Sequence, residues 1–523
     1  MSEREPGRTL PRRPRRPGWR CPCRCDAPEA AHPAPQFSWW LLTTILVFAL
    51  CSPVFAGLTT VSSQGELQRV ETDAWLPTPT GSLPITRHYH SSLLEDTLGF
   101  GWSLGFAWQV HRVDPERRLV ASPAGVWIFR GDREGGYLGP EGAVLILDES
   151  ASRLALPGGS WIEFDAEGRE RLREDANGNR IRIARDQQGR ITEMVGGPES
   201  TFRFSYHADG KLRSLEDGHG RRVEYRYDDR NLLSGVVDID GRTLAYGYDS
   251  VGRLESVEYP DERREEYRYD DLGRLSERVH ADGRTEWFAY DGRTLQGSDS
   301  RGDEWAQAHD DEGRPLWRTD ASGTRESWAW NDAGQLLERT YPDGSSVRLS
   351  YDRDGRLLSQ EASTGTYQWF DYDAPGGRLR ALDADGALTR IEYDARGNVS
   401  RIVSPAGRPI TLEADAHGRP ALIVDGLGNE QRLDFGPHGL LERLEAPDGA
   451  VTRWEFDAHG RLIREWDALD QVTRYQYRED GLLDSVAAPG QPVTRFEYDA
   501  AGRLVAEVAV GQRTEYAYDQ AGN

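Results

Sequence analysis

Apolar and polar residues alternate in short runs, and the runs recur along most of the chain. Leu244, Tyr246 and Tyr248 alternate with Ala245 and Gly247, and Val223, Tyr225 and Tyr227 alternate with Glu224 and Arg226. A period of two puts one set of side chains on a single face of a β-strand. No segment sustains a helical period. The aromatic residue closing each run steps from Tyr227 to Tyr248, Tyr269 and Tyr290, 21 residues each time. The register runs back through Tyr206, Arg185 and Phe164. It runs forward through His309, Trp330, Tyr351, Tyr372, Tyr393, Ala414, Phe435, Phe456, Tyr477, Tyr498 and Tyr518, giving 18 anchor positions. Only the steps into His309 and Tyr518 miss the spacing. A fixed period held this long predicts one structural unit per period, each stacked on its neighbours.

The punctuation predicts what one unit builds. Asp249-Ser-Val-Gly252 has Asp at the first and Gly at the fourth position of a type I turn. A second strand follows through Leu254, Ser256 and Glu258, and a second turn is explicit at Pro342-Asp-Gly344, Pro447-Asp-Gly449 and Asp282-Gly283. Each period is therefore one hairpin. The predicted fold class is all-β: a continuous antiparallel sheet of ~21-residue β-hairpin repeats wound as an open spiral. At ~4.8 Å per strand, about 36 strands make about 170 Å of sheet, roughly one circuit, and its open edges invite pairing.

The repeat array is predicted over residues 161–523, ending within a repeat. Residues 57–160 show no clear register and form a β-rich segment that introduces it. There Ile85–Ser91, Val126–Arg130 and Ala143–Asp148 read as strands, and Leu98–Phe106 as a tight Gly/aromatic chain packed around Trp102. Residues 1–56 are set apart by composition. Eight arginines from Arg4 to Arg24 precede an apolar run from Phe37 to Leu50 and a small-residue site at Val54-Phe55-Ala56. That is the layout of a secretory signal, with an uncleaved membrane anchor as the alternative. Export or a place in the cell envelope is the expectation, with membrane contact only through this segment.

The formal charge is −23. The leader holds eight Arg and four acids (Glu3, Glu5, Asp26, Glu29), so without it the charge is −27. This balance argues against a nucleic-acid partner. All four cysteines (Cys21, Cys23, Cys25, Cys51) lie in the leader, so no disulfide framework and no Cys nucleophile is expected beyond it.

Chemistry-bearing residues are weighed against structural roles. The pairs Tyr225/Tyr227, Tyr246/Tyr248, Tyr267/Tyr269, Trp328/Trp330, Trp454/Phe456, Tyr475/Tyr477 and Phe496/Tyr498 each share a strand face. They read first as packing ladders and second as stacking platforms for sugars. His88, His90 and His111 read as packed or hydrogen-bonded residues rather than a metal trio. His417, His438 and His459 recur at the repeat spacing and read as turn residues, too far apart for one ion. Asp238/Asp240, Asp383/Asp385 and Asp175-Ala-Asn-Gly-Asn179 lack the further ligands of a calcium loop. There is no nucleophile elbow, zincin helix or phosphate loop. No catalytic residue, metal site or cofactor is expected.

Tyr-Asp-x-x-Gly-Arg-Leu, at Tyr248–Leu254, Tyr269–Leu275, Tyr351–Leu357 and Tyr498–Leu504, resembles the RHS (YD) repeat. Leu83–Ser91 with Gly99–Ser103 is similar to the segment that introduces such repeats in bacterial RHS proteins. The family includes bacterial polymorphic toxins, C components of insecticidal toxin complexes, wall-associated proteins and teneurins. The resemblance implies a sheet wound into a hollow shell that, in toxin members, encloses a C-terminal effector. The Asp-Pro-x-Gly core motif of those members does not occur here. The expected role is an exported, non-catalytic scaffold, part of a toxin-encapsulating or delivery shell for interbacterial competition. The expected partner is an effector polypeptide or a missing C-terminal shell part. The alternative is a cell-surface carbohydrate-binding or adhesion protein.

Overall fold

The computed structural model describes residues 58–518 apart from 63, 93–94, 106–107, 114–115, 123–124, 132–135, 140–142, 148–151, 157, 198–199, 374–376, 479 and 500–501. The leader expected over 1–56 lies outside the described residues. Every described element is a β-strand, and no described helix is long and apolar enough to cross a membrane.

The repeat motif explains its own geometry. In the turn after Tyr248, the Asp249 carboxylate accepts the backbone N–H of Val251 at 3.0 Å and of Arg253 at 2.9 Å. Its other oxygen takes the Arg253 Nε–H at 2.7 Å. Gly252 sits at φ 91°, open to glycine at no steric cost. The turn is closed by a bulge between Gly247 and Tyr248, so Tyr246 faces Val257 while Tyr248 faces Leu254. The Arg253 guanidinium then lies 4.5 Å from the ring centre of Tyr269, the anchor of the next hairpin. The Tyr269 hydroxyl donates to the Leu254 carbonyl, 15 residues back, at 2.7 Å.

That last bond recurs at Tyr227, Tyr248, Tyr290, Tyr351, Tyr372, Tyr477 and Tyr498. Two odd anchors reproduce it with other chemistry. The Trp330 Nε1–H reaches the Pro315 carbonyl at 2.8 Å, and the Arg185 guanidinium reaches that of Glu170 at 3.4 Å. Where the anchor carries a donor, its hairpin is thus tied to the one before by a hydrogen bond of about 1 kcal/mol net. At anchors such as Tyr269, Tyr290, Tyr372 and Tyr477 a cation–π contact adds about 0.5–1 kcal/mol. Ala414, Phe435 and Phe456 lack the hydrogen bond. Stability then accumulates by nearest-neighbour terms. The early arrival of His309 has a local cause as well. Asp291 pairs directly with Thr294 across a two-residue turn with no bulge, so that repeat is shortened.

The antiparallel ladder begins before the repeats. It runs hairpin by hairpin from Gln109–Arg112 to Gln512–Glu515. The absence of a clear register over 57–160 therefore does not mark a separate fold: strands from residue 109 onward belong to the same sheet. Its first eight strands, to Glu170–Glu174, close on themselves. Gln109 bridges Arg169, the Val110 N–H donates to the Gly168 carbonyl at 2.8 Å, and the Glu170 N–H donates to that of Trp108 at 3.0 Å. Val120, Phe129, Leu145, Leu154, Ile162 and Phe164 fill this small barrel.

Beyond the barrel the ladder returns over itself sooner than one circuit of the whole array would allow. Asn177 and Asn398, 221 residues apart, exchange amide hydrogen bonds of 2.8 and 2.9 Å. Asn179 bonds the carbonyl of His417, 238 residues on, at 2.8 Å. Further along this seam the ring of His219 meets that of His459. Turns on one rim of the first circuit therefore stack on turns on the opposite rim of the second.

The segment before the barrel forms its own small sheet. Strands Leu58–Val61, Leu67–Thr78, Gly81–His90 and Trp102–Leu104 pair in that order. The tip of the long hairpin enters the seam. Arg419 donates to the Pro79 carbonyl at 3.1 Å, and a Cβ on Gly439 would come within 2.9 Å of the Thr78 carbonyl oxygen.

Candidate functional site: the inner face of the ladder

Residues two before each anchor all point to one face, the inner face of the spiral. Phe204, Tyr225, Tyr246 and Tyr267 there are buried. Their equivalents in later hairpins, Phe288, Gln307, Trp328, Leu349, Phe370, Ile391, Leu412, Trp454, Tyr475 and Phe496, are only half-buried, with Leu433 the one buried exception among them. The same face is thus sealed early and left partly open later.

The N-terminal sheet makes the seal. Trp102 is fully buried, tilted against Tyr89 at 5.2 Å and Tyr246 at 5.1 Å, and its Nε1–H donates to the Tyr248 hydroxyl at 2.9 Å. The expectation that this segment packs around Trp102 holds. Tyr89 reaches the Leu254 N–H at 2.8 Å, and burial pushes its phenol up to about 12. Two buried arginines cross the interface. Arg87 lies between the rings of Trp102 and Tyr246 and pairs with Asp73 at 3.2 Å, and Asp73 also accepts the Tyr225 hydroxyl at 2.7 Å. Arg69 bonds Glu71, Thr59, Glu265, Tyr259 and Tyr267. Burial raises the phenol pKa of Tyr225, Tyr246 and Tyr267, keeping them neutral at physiological pH. Unpaired, such charges would oppose docking, so the network fixes one register between plug and ladder.

The residues singled out in the sequence do not converge on a catalytic group. His88 bonds Thr86 at 3.1 Å, His90 lies 3.4 Å from Glu66, and His111 is exposed. Asp238 caps its turn through the N–H groups of Asp240 and Arg242. Asp383 accepts the Gly386 N–H at 2.7 Å, and Asp385 accepts the Tyr367 N–H. The aromatic pairs share the inner face, as packing ladders should. Among the described residues, no three His, Cys, Asp or Glu are grouped to hold a metal ion.

One reading changes. His417 and His459 are not merely tolerated in their turns: both make contacts across the seam, as does Asn177-Gly-Asn179. The sequence carried a weak signal, since His417 and His459 vary the turn after the anchor while Asn177 and Asn179 vary the turn at the other end of the hairpin. Which rim meets which depends on sheet curvature, and that is not written locally.

Comparison with known proteins adds the following. Residues 173–263 match the teneurin YD-shell model, and residues 248–285, 330–367 and 372–409 match the RHS repeat. Residues 62–132 match a domain of unknown function, DUF6531. A comparison with curated proteins finds no match. Similar solved structures include a Tc holotoxin pore from Photorhabdus luminescens, at 12% identity and TM-score 0.38, covering 85% of this chain and 29% of that one. Another is TcdB2-TccC3 without its hypervariable C-terminal region, at 15% identity and TM-score 0.30, covering 85% and 26%. The chain spans less than a third of the length of these two neighbours.

Proposed function

The chain is an RHS-repeat protein of the YD-shell type, and from that premise we propose that it is a scaffold whose open inner face holds another polypeptide. Its cargo is an effector of a toxin system, and it acts after export, in competition between bacteria. It performs no chemistry of its own. One observation carries the reading: a largely apolar face recurs from hairpin to hairpin, and among the described residues it is buried continuously in its first part and only at isolated positions such as Ile423 and Leu433 later. An extended or unfolded segment rich in apolar side chains would bury the rest. The recurrence of Tyr, Asp, Gly, Arg and Leu needs no chemical role, because each helps to hold the hairpins together.

A carbohydrate-binding surface would need aromatic rows facing outward. The outer face instead carries crossed charge pairs such as Arg268–Glu277, Arg401–Glu392 and Arg464–Glu455. The test uses reduced, carboxymethylated α-lactalbumin as an unfolded probe and isolated cell-wall sacculi as a glycan probe. Binding of the unfolded probe is expected, falling roughly tenfold or more when Leu412 and Val486 are replaced by Arg. Binding of sacculi alone would overturn the proposal.

A further inference from the structure

The seam that closes one circuit on the next is polar and built turn against turn, so its contacts are few and individually weak. One of them joins two titratable rings. His219, in the turn Asp217–Gly220 of the first circuit, meets His459, in the turn Asp457–Gly460 of the second, with ring centres 5.4 Å apart and planes inclined at 47°. Nδ1 of His459 is buried there with no hydrogen-bond partner.

The charges around the pair come from both circuits. On the first, Arg221 flanks His219, but its Nε–H is held by Asp217 at 2.8 Å. Asp217 also accepts the N–H groups of His219 and Arg221. On the second, Asp457 accepts the N–H groups of His459 and Arg461 and pairs with the Arg461 guanidinium at 2.7 Å. Asp240, in the next turn of the first circuit, is held by Arg242 at 2.7 Å. Each nearby carboxylate is thus already bound by an arginine of its own turn. A protonated His459 would face the His219 ring beside Arg221 and Arg461 with, among the described residues, no uncommitted anion beside it.

We propose that the His219–His459 contact is a proton-operated latch: the seam between the two circuits is closed while the His459 ring is neutral and opens locally when it takes up a proton. The inference does not depend on what the sheet encloses. Burial, with Arg221, Arg461 and His219 nearby, lowers the His459 pKa below its usual 6.5. The sign follows. Below about pH 6.5 the opened seam binds protons that the closed seam does not, so closure weakens as pH falls, until the closed-state value is passed. The second seam histidine supplies an internal contrast. His417 lies 2.7 Å from the Asn179 side-chain oxygen, so its Nδ1–H donates, and protonation at Nε2 leaves that bond in place.

The experiment measures distance across the seam by double electron–electron resonance. Spin labels are placed on Glu224→Cys and Ala458→Cys, both exposed, with the four leader cysteines replaced by serine. A longer-distance population is expected to grow severalfold between pH 7.5 and pH 5.0. It should be lost in His459→Gln and kept in His417→Gln. Tryptophan emission recorded on the same samples reports whether the ladder stays folded. Distances that do not change with pH would overturn the proposal. So would opening that persists in the His219→Gln/His459→Gln double variant, or a change seen only together with global unfolding.

Discussion

Two stretches of one sheet share a motif and differ in what covers them. Hairpins between about residue 181 and residue 290 carry the plug of residues 58–104. Phe204, Tyr225, Tyr246 and Tyr267 are buried beneath it, among the charges of Arg69, Arg87, Asp73 and Glu265. Hairpins from about 325 to 508 keep the turn caps and, except at Ala414, Phe435 and Phe456, the anchor bonds, yet apart from isolated positions such as Ile423 and Leu433 their large inner residues stay only half-buried. The motif therefore builds the hairpin and its link to the neighbour. It does not by itself complete the core, which in the first stretch is closed by a segment outside the repeat packing on the hairpin residues. A repeat of this kind can be extended cheaply, and its unsealed length is a surface available to something else.

The comparison can be broken most strongly at the interface itself. Asp73→Ala should destabilise the protein by about 3–5 kcal/mol, because it leaves Arg87 and the Tyr225 hydroxyl buried without their partner. Arg464→Ala, which removes an exposed pair with Glu455 on the outer face, should cost less than about 1 kcal/mol. Denaturant unfolding of both variants checks the contrast. Trp102→Ala should also cost about 3–5 kcal/mol, through the cavity left between Tyr89 and Tyr246.

A smaller effect sharpens the contrast within the motif. Tyr248→Phe strands both the Trp102 Nε1–H and the Leu233 carbonyl, and should cost about 2–3 kcal/mol. Tyr477→Phe loses only its bond to the Leu462 carbonyl, and should cost about 1 kcal/mol. Amide exchange in the two stretches would separate local from global loss.

The smallest effect belongs to the turns, which are alike in both stretches. The hydroxyls of Ser322 and Thr324 and the amides of the turn hold the Asp320 carboxyl down to about 2. Its contribution to the turn is present above the unfolded value of about 3.8 and is lost as pH falls through about 2. A carboxyl-carbon titration followed by NMR should show that midpoint, and a midpoint near 4 would remove the capping account.

What was legible in the sequence is what is local. The Asp and Gly of each turn, the alternation about Tyr246 and Tyr248, and the 21-residue step specify hairpins through contacts within about one repeat. The burial of Trp102 was legible too, from large aromatics among glycines. What could not be read depends on how the sheet curves. The closure of Gln109 on Arg169 joins residues with no shared pattern, and the seam pairs Asn177 with Asn398 only because a circuit has a particular circumference. The role of the plug was hidden for a similar reason. Arg69, Glu71 and Asp73 alternate on one strand like any solvated face, and only the docked ladder shows them to be buried.

The central claim is that one inner face is sealed early and open late. Val257, facing Tyr246, and Val486, facing Tyr475, occupy the same place in two hairpins, the first fully buried and the second half-exposed. Single Val257→Cys and Val486→Cys variants, with the leader cysteines replaced by serine, should react with a small thiol reagent at very different rates. The account predicts labelling at position 486 faster by roughly a hundredfold, since position 257 reacts only through local opening of the plug. Equal rates at the two positions would contradict it.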